Sequence, residues 1–497
     1  MYCWRWFRSF LLCGLLPFVG HAMASAAEVD PPSAENPAIQ RAMAAVAAAV
    51  PQAKADARRP QYHFAPPAQW MNDPNGPIFW NGYYHMFYQH NPYGDRWDHM
   101  HWGHARSRDL VRWEHLPIAL WPSEEQGENH CFSGSATIAP NGQVMLFYTS
   151  IGNRAPEQWA AISKDQELLT WEKHPDNPLL AEIHHGGSKV YEWRDPYVFQ
   201  HEGTRYMVCG GNLNESKGGQ AAVQLYRAEN DALTEWTHRG VLFIHPDADV
   251  KNIECPNFFP LQNKWVLIVS AHRNPEYFVG IFDPKQAVFT METRGHVDYG
   301  DYYAPNGCFD PRQRHVLWGW VRGFDFAQGW NGCLSLPRVL SLNAAGAVLQ
   351  QPAPELEALR MRELLKKTLT LTAEPIRLEE ARSTQLELVL SLQPQPLHQL
   401  GLTFEAGAAG GAFTIGCFDD HLDVAGTAVP LDRTVSAGGL SLRIFCDRSV
   451  IEVYVNEGAR CVTKVFPQGG GLLVPVLSHQ ANTGQASVEA WELRSIW

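Results

Sequence analysis

Hydrophobic positions in this chain come in short bursts, broken by polar, glycine- and proline-rich turns, and seldom at helical spacing. The clearest burst is WMNDPNGPIFWNGYYHMFYQ at residues 70–89. Two runs of strand-forming aromatic residues, 78–80 and 83–88, flank Asn81-Gly82, the strongest short hairpin signal. The same unit of polar mouth, strand, turn and second strand recurs. It appears as SGSATIAPNGQVMLFYTS from Ser133, RDPYVFQHEGTRYMVCGG from Arg194, ECPNFFPLQNKWVLIVSAH from Glu254 and DYYAPNGCFDPRQRHVLWGW from Asp301. Asp73, Ser133, Asp195 and Glu254 follow one another at intervals of 60, 62 and 59 residues, and Asp301 comes 47 later. Repeats of strands and turns at this period predict propeller blades, here five. In a propeller the first strand of each blade lines the central channel. Asp73, Asp195 and Glu254 each open a different blade, so the repeat brings three distant carboxylates to one end of the axis.

The remaining pattern divides the rest of the chain. SRDLVRWEH, SKDQELLTWEKH and AENDALTEWTHRG each carry a tryptophan on an outer strand, read as packing between blades. Leu356, Leu359, Met361, Leu364 and Leu365 fall at helical spacing and predict a linker helix over 351–367. From residue 368 to 497 short alternating strands predict an antiparallel β-sandwich. The expected class is therefore all-β, with a five-bladed β-propeller over 61–350 followed by the sandwich. Residues 28–60 form an Ala/Pro-rich extension in which 39–57 can make a short helix, interrupted at Pro51. Residues 1–27 have the form of a secretory signal: Arg5 and Arg8, an apolar run, then small residues at 22–26. The apolar run is too short and broken to span a membrane, which takes about 20 residues. The mature protein is expected to be secreted or periplasmic.

Charge and cysteine narrow the chemistry. The formal net charge of −12 argues against nucleic acid and against an anionic membrane as partner. Ten cysteines become eight once Cys3 and Cys13 leave with the signal. They lie scattered in apolar strands and read as buried thiols, with no CxxC pair for zinc. His99, His101 and His104 lack the further ligand that a zinc site needs and read as rim or core residues. No metal and no cofactor is expected.

Paired carboxylates on a rigid frame with aromatic and amide neighbours suit glycoside cleavage. One attacks the anomeric carbon, a protonated one gives its proton to the leaving oxygen, and a third steadies the positive transition state. Trp97, Phe132 and Trp320 can cover sugar rings, and Asn72, Gln89 and Arg194 can fix hydroxyls. Glu254 runs into the apolar Phe258-Phe259, which predicts a raised pKa suited to an acid. Arg194 beside Asp195 predicts that Asp195 stays ionised.

The motifs WMNDPNG (70–76), FYQ (87–89), FSGSAT (132–137), WRDP (193–196), ECPNFF (254–259) and GWNGCLSLPRVL (329–340) resemble glycoside hydrolase family 32, the invertases, levanases and inulinases. LRIFCDRSVIEVYVNEG (442–458) resembles that family's C-terminal sandwich. The resemblance covers about residues 62–497 and implies Asp73 as nucleophile, Asp195 as transition-state stabiliser and Glu254 as acid/base. It implies a fructosyl pocket of Asn72, Gln89, Trp97, Phe132, Ser133, Arg194 and Trp320. The implied activity is retaining hydrolysis of β-fructofuranosidic bonds in sucrose or in fructans such as inulin or levan. A fructosyltransferase using the same residues, and a non-catalytic sugar-binding propeller, stay open as alternatives.

Overall fold

A computed structural model describes residues 36–187, 189–213, 218–392, 400–406, 412–418, 420–431, 439–466, 471–479 and 484–497. The signal expected over 1–27 lies outside these residues. The described chain is almost entirely β.

Five antiparallel sheets occupy residues 69–352, each beginning with one of the repeated motifs. Their first strands are Gln69–Trp80, Glu128–Ile138, Val190–His201, Glu254–Leu261 and Tyr302–Phe309. Each first strand touches the next, and the fifth touches the first, so the five make a closed ring. A short parallel pairing seals the join: Gln69 and Trp70 lie against Trp330 and Asn331. The hairpin at Asn81-Gly82 forms in register, with Trp80 opposite Tyr83. Asn81 and Gly82 both have positive φ, 47° and 82°, as a two-residue turn of the primed type requires.

The outer-strand tryptophans pack between sheets. Trp171 meets Phe87 of the neighbouring sheet edge-on at 5.5 Å, and Trp236 meets Phe147 at 5.7 Å. Both indoles also donate to a carbonyl three residues back, Leu168 and Leu233, which locks their orientation.

Two six-stranded sheets follow, facing each other across one apolar cluster built from Leu388, Leu402, Ile444 and Val488 among others. The segment 351–367 is not the expected helix. It makes a short 3-10 helix, Pro354–Leu359, and then a strand, Arg360–Thr370, that pairs with the C-terminal strand. Leu356 and Leu359 are buried in the 3-10 turn, while Leu365 enters the core of the second half on strand geometry. Sheet pairing thus overrode a helical spacing that was too short to decide alone. In the N-terminal extension, helix α1 (Pro37–Ala55) is not interrupted at Pro51 but runs four residues beyond it. The missing N–H falls in the last turns, where burial of Ala53 and a bond from Gln52 Nε2 to the Ala327 carbonyl (2.9 Å) hold the helix down.

All eight cysteines of the described residues are free thiols. Among those residues no helix is long and apolar enough to cross a membrane.

Candidate active site

Each first strand breaks its ladder register near the same end of the ring. The breaks fall between Met71 and Pro74, Cys131 and Gly134, Arg194 and Tyr197, Glu254 and Asn257, and Tyr303 and Asn306. Such bulges unpair one or two residues and re-aim their side chains. Four of the five breaks contain a proline, which cannot donate to a ladder. The two residues before Pro74, Pro196, Pro256 and Pro305, or before Gly134 in the second sheet, form five equivalent pairs. They are Asn72-Asp73, Phe132-Ser133, Arg194-Asp195, Glu254-Cys255 and Tyr303-Ala304. Nine of these ten residues line a single cavity of about 250 Å³, completed by Gln89, Trp97 and Trp320. Asp195, Cys255 and Ala304 hold φ of 62°, 46° and 46°, a region that costs a non-glycine residue of order 1–3 kcal/mol. The ring repeats this strain where it presents its polar groups.

Two of the three carboxylates meet at one sulfur. Cys255 Sγ lies 3.5 Å from Asp73 Oδ2 and 3.5 Å from Asp195 Oδ2. Asp73 accepts a bond of 2.5 Å from Ser133 Oγ and one of 3.0 Å from Asn72 Nδ2. Asn72 is itself fixed by the Trp70 indole N–H at 2.7 Å. Burial pushes the Asp73 carboxyl above its ordinary pKa despite these donors. Asp195 is buried, its Oδ2 accepts the Cys255 N–H at 2.8 Å, and its own N–H donates to Thr149 Oγ1 at 2.9 Å. Burial raises it to about 7; the Arg194 charge pulls down, and the nearby Glu254 and Asp73 push up.

Glu254 sits differently. Arg194 Nη2 donates to its Oε1, the Tyr303 hydroxyl donates to its Oε2 at 2.5 Å, and His272 Nε2 is 3.8 Å away. Burial pushes Glu254 up, but the Arg194 charge, the Tyr303 bond and His272 together hold it below its ordinary pKa. The two sequence expectations are therefore reversed. Both Arg194 and Asp195 face the cavity, but the Arg194 guanidinium pairs with Glu254 of the next sheet and with Glu192. The apolar Phe258-Phe259 pair packs into other clusters and does not isolate the carboxyl.

The aromatic wall is built from both rim and core. Trp97 is 48% exposed and stacks on His130 at 5.0 Å, with Phe132 edge-on at 6.0 Å. Trp320 leans on Trp70 at 5.7 Å, and its buried indole N–H has no partner among the described residues. Gly332, at φ 87°, makes room beside it: a Cβ there would sit 2.3 Å from the Met71 carbonyl oxygen. Gln89 is buried and donates to the Cys131 carbonyl at 2.9 Å.

All ten site residues expected from the sequence thus face the same cavity. Two more, Cys255 and Tyr303, do so without having been expected. The signal that finds them is alignment of the repeats on the proline: Cys255 takes the place of Asp73 and Asp195, and Tyr303 that of Asn72, Arg194 and Glu254. The three histidines do not act together. His104 is buried against Phe87 at 4.2 Å and bonds His85, whereas His99 and His101 line a different cavity. Among the described residues the one group with metal-ligand spacing is His245, Asp247 and Glu276. Arg273 and Arg294 already pair with its carboxylates, which leaves it an ion-pair cluster.

Residues 63–352 match the glycosyl hydrolases family 32 N-terminal domain, and residues 355–492 match the family's C-terminal domain. The chain is 32% identical over 447 residues to a sucrose-6-phosphate hydrolase of Escherichia coli, covering 82% of this chain and 89% of that protein. It is 30% identical over 507 residues to a levanase of Bacillus subtilis, covering 88% and 71%. Among solved structures, a mutant β-fructofuranosidase of Bombyx mori in complex with sucrose superposes with a TM-score of 0.78 at 27% identity, covering 93% and 99%. A fructan 1-exohydrolase of Cichorium intybus in complex with 1-kestose gives 0.75 at 25% identity, covering 88% and 98%.

Proposed function

The chain belongs to glycoside hydrolase family 32 and is a glycoside hydrolase; from that premise we propose that it cleaves β-fructofuranosidic bonds with retention, through a covalent fructosyl-Asp73 intermediate. The five sheets are the blades of a five-bladed propeller in this reading, and residues 368–497 its β-sandwich. The observation that carries the proposal is the convergence of Asp73, Asp195 and Glu254, from three sheets, on one cavity.

Asp73, oriented by Asn72 on Oδ1 and by Ser133 on Oδ2, attacks the anomeric carbon. Glu254 protonates the leaving oxygen and then, as a base, takes a proton from the water that releases fructose. Arg194 holds Glu254 ionised. The acid step therefore requires the sugar to draw Arg194 away, towards a hydroxyl or Glu192, so that Glu254 can hold a proton. Asp195, deeply buried and fixed by backbone donors, accepts hydrogen bonds from fructosyl hydroxyls that strengthen as positive charge develops. The Trp320 indole N–H, without a protein partner, suits a sugar hydroxyl. Trp97 and Phe132 cover the apolar ring faces. Neither metal nor cofactor enters these steps. Residues 1–27 serve export, so the substrate is met outside the cytoplasm.

NMR observation of sucrose cleavage tests the reading. The first fructose released should be the β-anomer, with glucose and fructose in equal amounts. An α-anomer formed first overturns retention, fructose falling short of glucose favours transfer to a second sugar, and no cleavage of sucrose, inulin or levan leaves a sugar-binding protein.

A further inference from the structure

Helix α1 lies outside the residues that either family domain matches, yet it is firmly docked: Ile39 and Ala42 pack on Ile118 next to Trp121. Between the start of this helix, the loop at 92–101 and the turn at 121–125 lies a second cavity, of about 530 Å³. That is within the range of small-ligand sites, roughly 300–1,000 Å³. Tyr93, 46% exposed, and Trp121 give it aromatic faces, Arg41 and His99 give it donors, and Glu124 and Glu125 give it acceptors.

Two polar groups on its wall lack protein partners. His101 is 4% exposed; its Nδ1 bonds the His99 carbonyl, and its other ring nitrogen has no hydrogen bond among the described residues. Arg41 has no ion pair among the described residues, although two carboxylates line the same cavity. Aromatic faces mixed with donors and acceptors of both signs match neutral, hydroxyl-rich ligands. Two glutamates against one arginine disfavour a phosphorylated one.

The loop at 92–101 ties this cavity to the catalytic one. Trp97 lines the catalytic pocket, while Tyr93, His99 and His101, on the same loop, line the second. The two cavities thus share this loop. We infer that the cavity under α1 binds further sugar units of a fructan chain, making oligomeric and polymeric fructans the favoured substrates over sucrose. This inference rests on the fructosidase reading given above.

Tyr93→Ala, Arg41→Ala and their combination, in the full-length enzyme, test it against sucrose, inulin and levan. The double variant should keep kcat/KM on sucrose within about twofold and lose about tenfold on the better polymer, mainly through KM. Ala38→Trp, which fills the cavity from the helix, should give the same selective loss. Calorimetric titration of 1-kestose and longer fructo-oligosaccharides into Glu254→Gln protein supplies a readout without turnover, and adding Tyr93→Ala/Arg41→Ala there should weaken the longer ligands at least fivefold. Equal losses on sucrose and polymer, or unchanged polymer kinetics and binding, overturn the inference. Failure of the fructosidase reading looks different: the parent enzyme then cleaves none of the three substrates.

Discussion

Two clusters in this protein each gather three carboxylates away from water, and they are finished in opposite ways. Where the ring of sheets meets the C-terminal half, Asp298, Asp447 and Glu452 are fully buried with two cationic groups, Arg338 and His63. Arg338 bridges Asp298 and Glu452 at 2.9 and 2.8 Å, and the His63 ring bridges Asp447 and Glu452 at 2.9 and 3.1 Å. The spare lone pairs are filled as well. Asp447 accepts the N–H groups of Gln61, Tyr62 and His63, Asp298 that of Thr463, and Glu452 that of Leu336 and the Tyr454 hydroxyl. Although burial pushes it up, Glu452 falls to about 2, chiefly through Arg338 and His63. In the catalytic cavity three carboxylates share one guanidinium, that of Arg194, which also serves Glu192. Burial raises Asp73 and Asp195 there, as it also raises Asp298 at the weld, while Arg194 holds Glu254 down. The same residue types make a weld when charges and donors match, and a reactive site when they are left short. The shortage is what a substrate's hydroxyls and developing positive charge can fill.

Removing a charge should therefore have opposite consequences in the two places. Asp195→Asn should lower kcat by about three decades with little change in KM, roughly 4 kcal/mol of lost transition-state stabilisation. The same variant should be more stable. A buried Asp at about 7 in the native state, against 3.8 in the unfolded chain, costs stability increasingly as pH rises between those values. Denaturation at pH 7 should show a gain of about 1–2 kcal/mol; a kcat near normal with only KM raised would make Asp195 a mere binding group.

At the weld, Arg338→Met should leave Asp298 without a cation and Glu452 with His63 alone. The expected loss is about 3 kcal/mol in chemical denaturation, with kcat of the folded enzyme nearly unchanged. A comparable loss of kcat without loss of stability would erase the distinction between the clusters.

The smallest effect is the dependence of the weld on pH. Burial would lower His63, but Asp447 and Glu452 hold it at about 9 against an ordinary 6.5. Its contribution is complete below 6.5 and is lost as pH rises through 9. That of Glu452 is present above 4.5 and is lost as pH falls towards 2. Unfolding free energy should drop by about 2 kcal/mol between pH 6.5 and 9, and His63→Gln should flatten that limb.

Much of this was legible in the sequence because it is local. Asn81-Gly82 writes its own hairpin, and the polar mouths before the first strands carry seven of the ten expected site residues, all but Gln89, Trp97 and Trp320. What stayed hidden depends on neighbours distant in the chain. Arg194 looked committed to Asp195 because they are adjacent; only the ring shows that its partner is Glu254, 60 residues on. Tyr303, which no sequence expectation included, donates its hydroxyl to the same carboxyl from 49 residues on. The weld was invisible for the same reason, since His63 and Asp447 are 384 residues apart. Residues 351–367 misled for a different cause: five apolar positions fit a helix, and a 3-10 turn followed by strand pairing with the chain's end decided otherwise.

The central claim is that Asp73 forms a bond to the sugar. It is read most directly in the Glu254→Gln enzyme, given an activated fructoside whose leaving group needs no proton, quenched in acid and mapped by mass spectrometry. The account predicts one anhydrofructosyl unit on the peptide that carries Asp73. Release of the leaving group with no labelled peptide, or with the label on the peptide carrying Asp195, would contradict it.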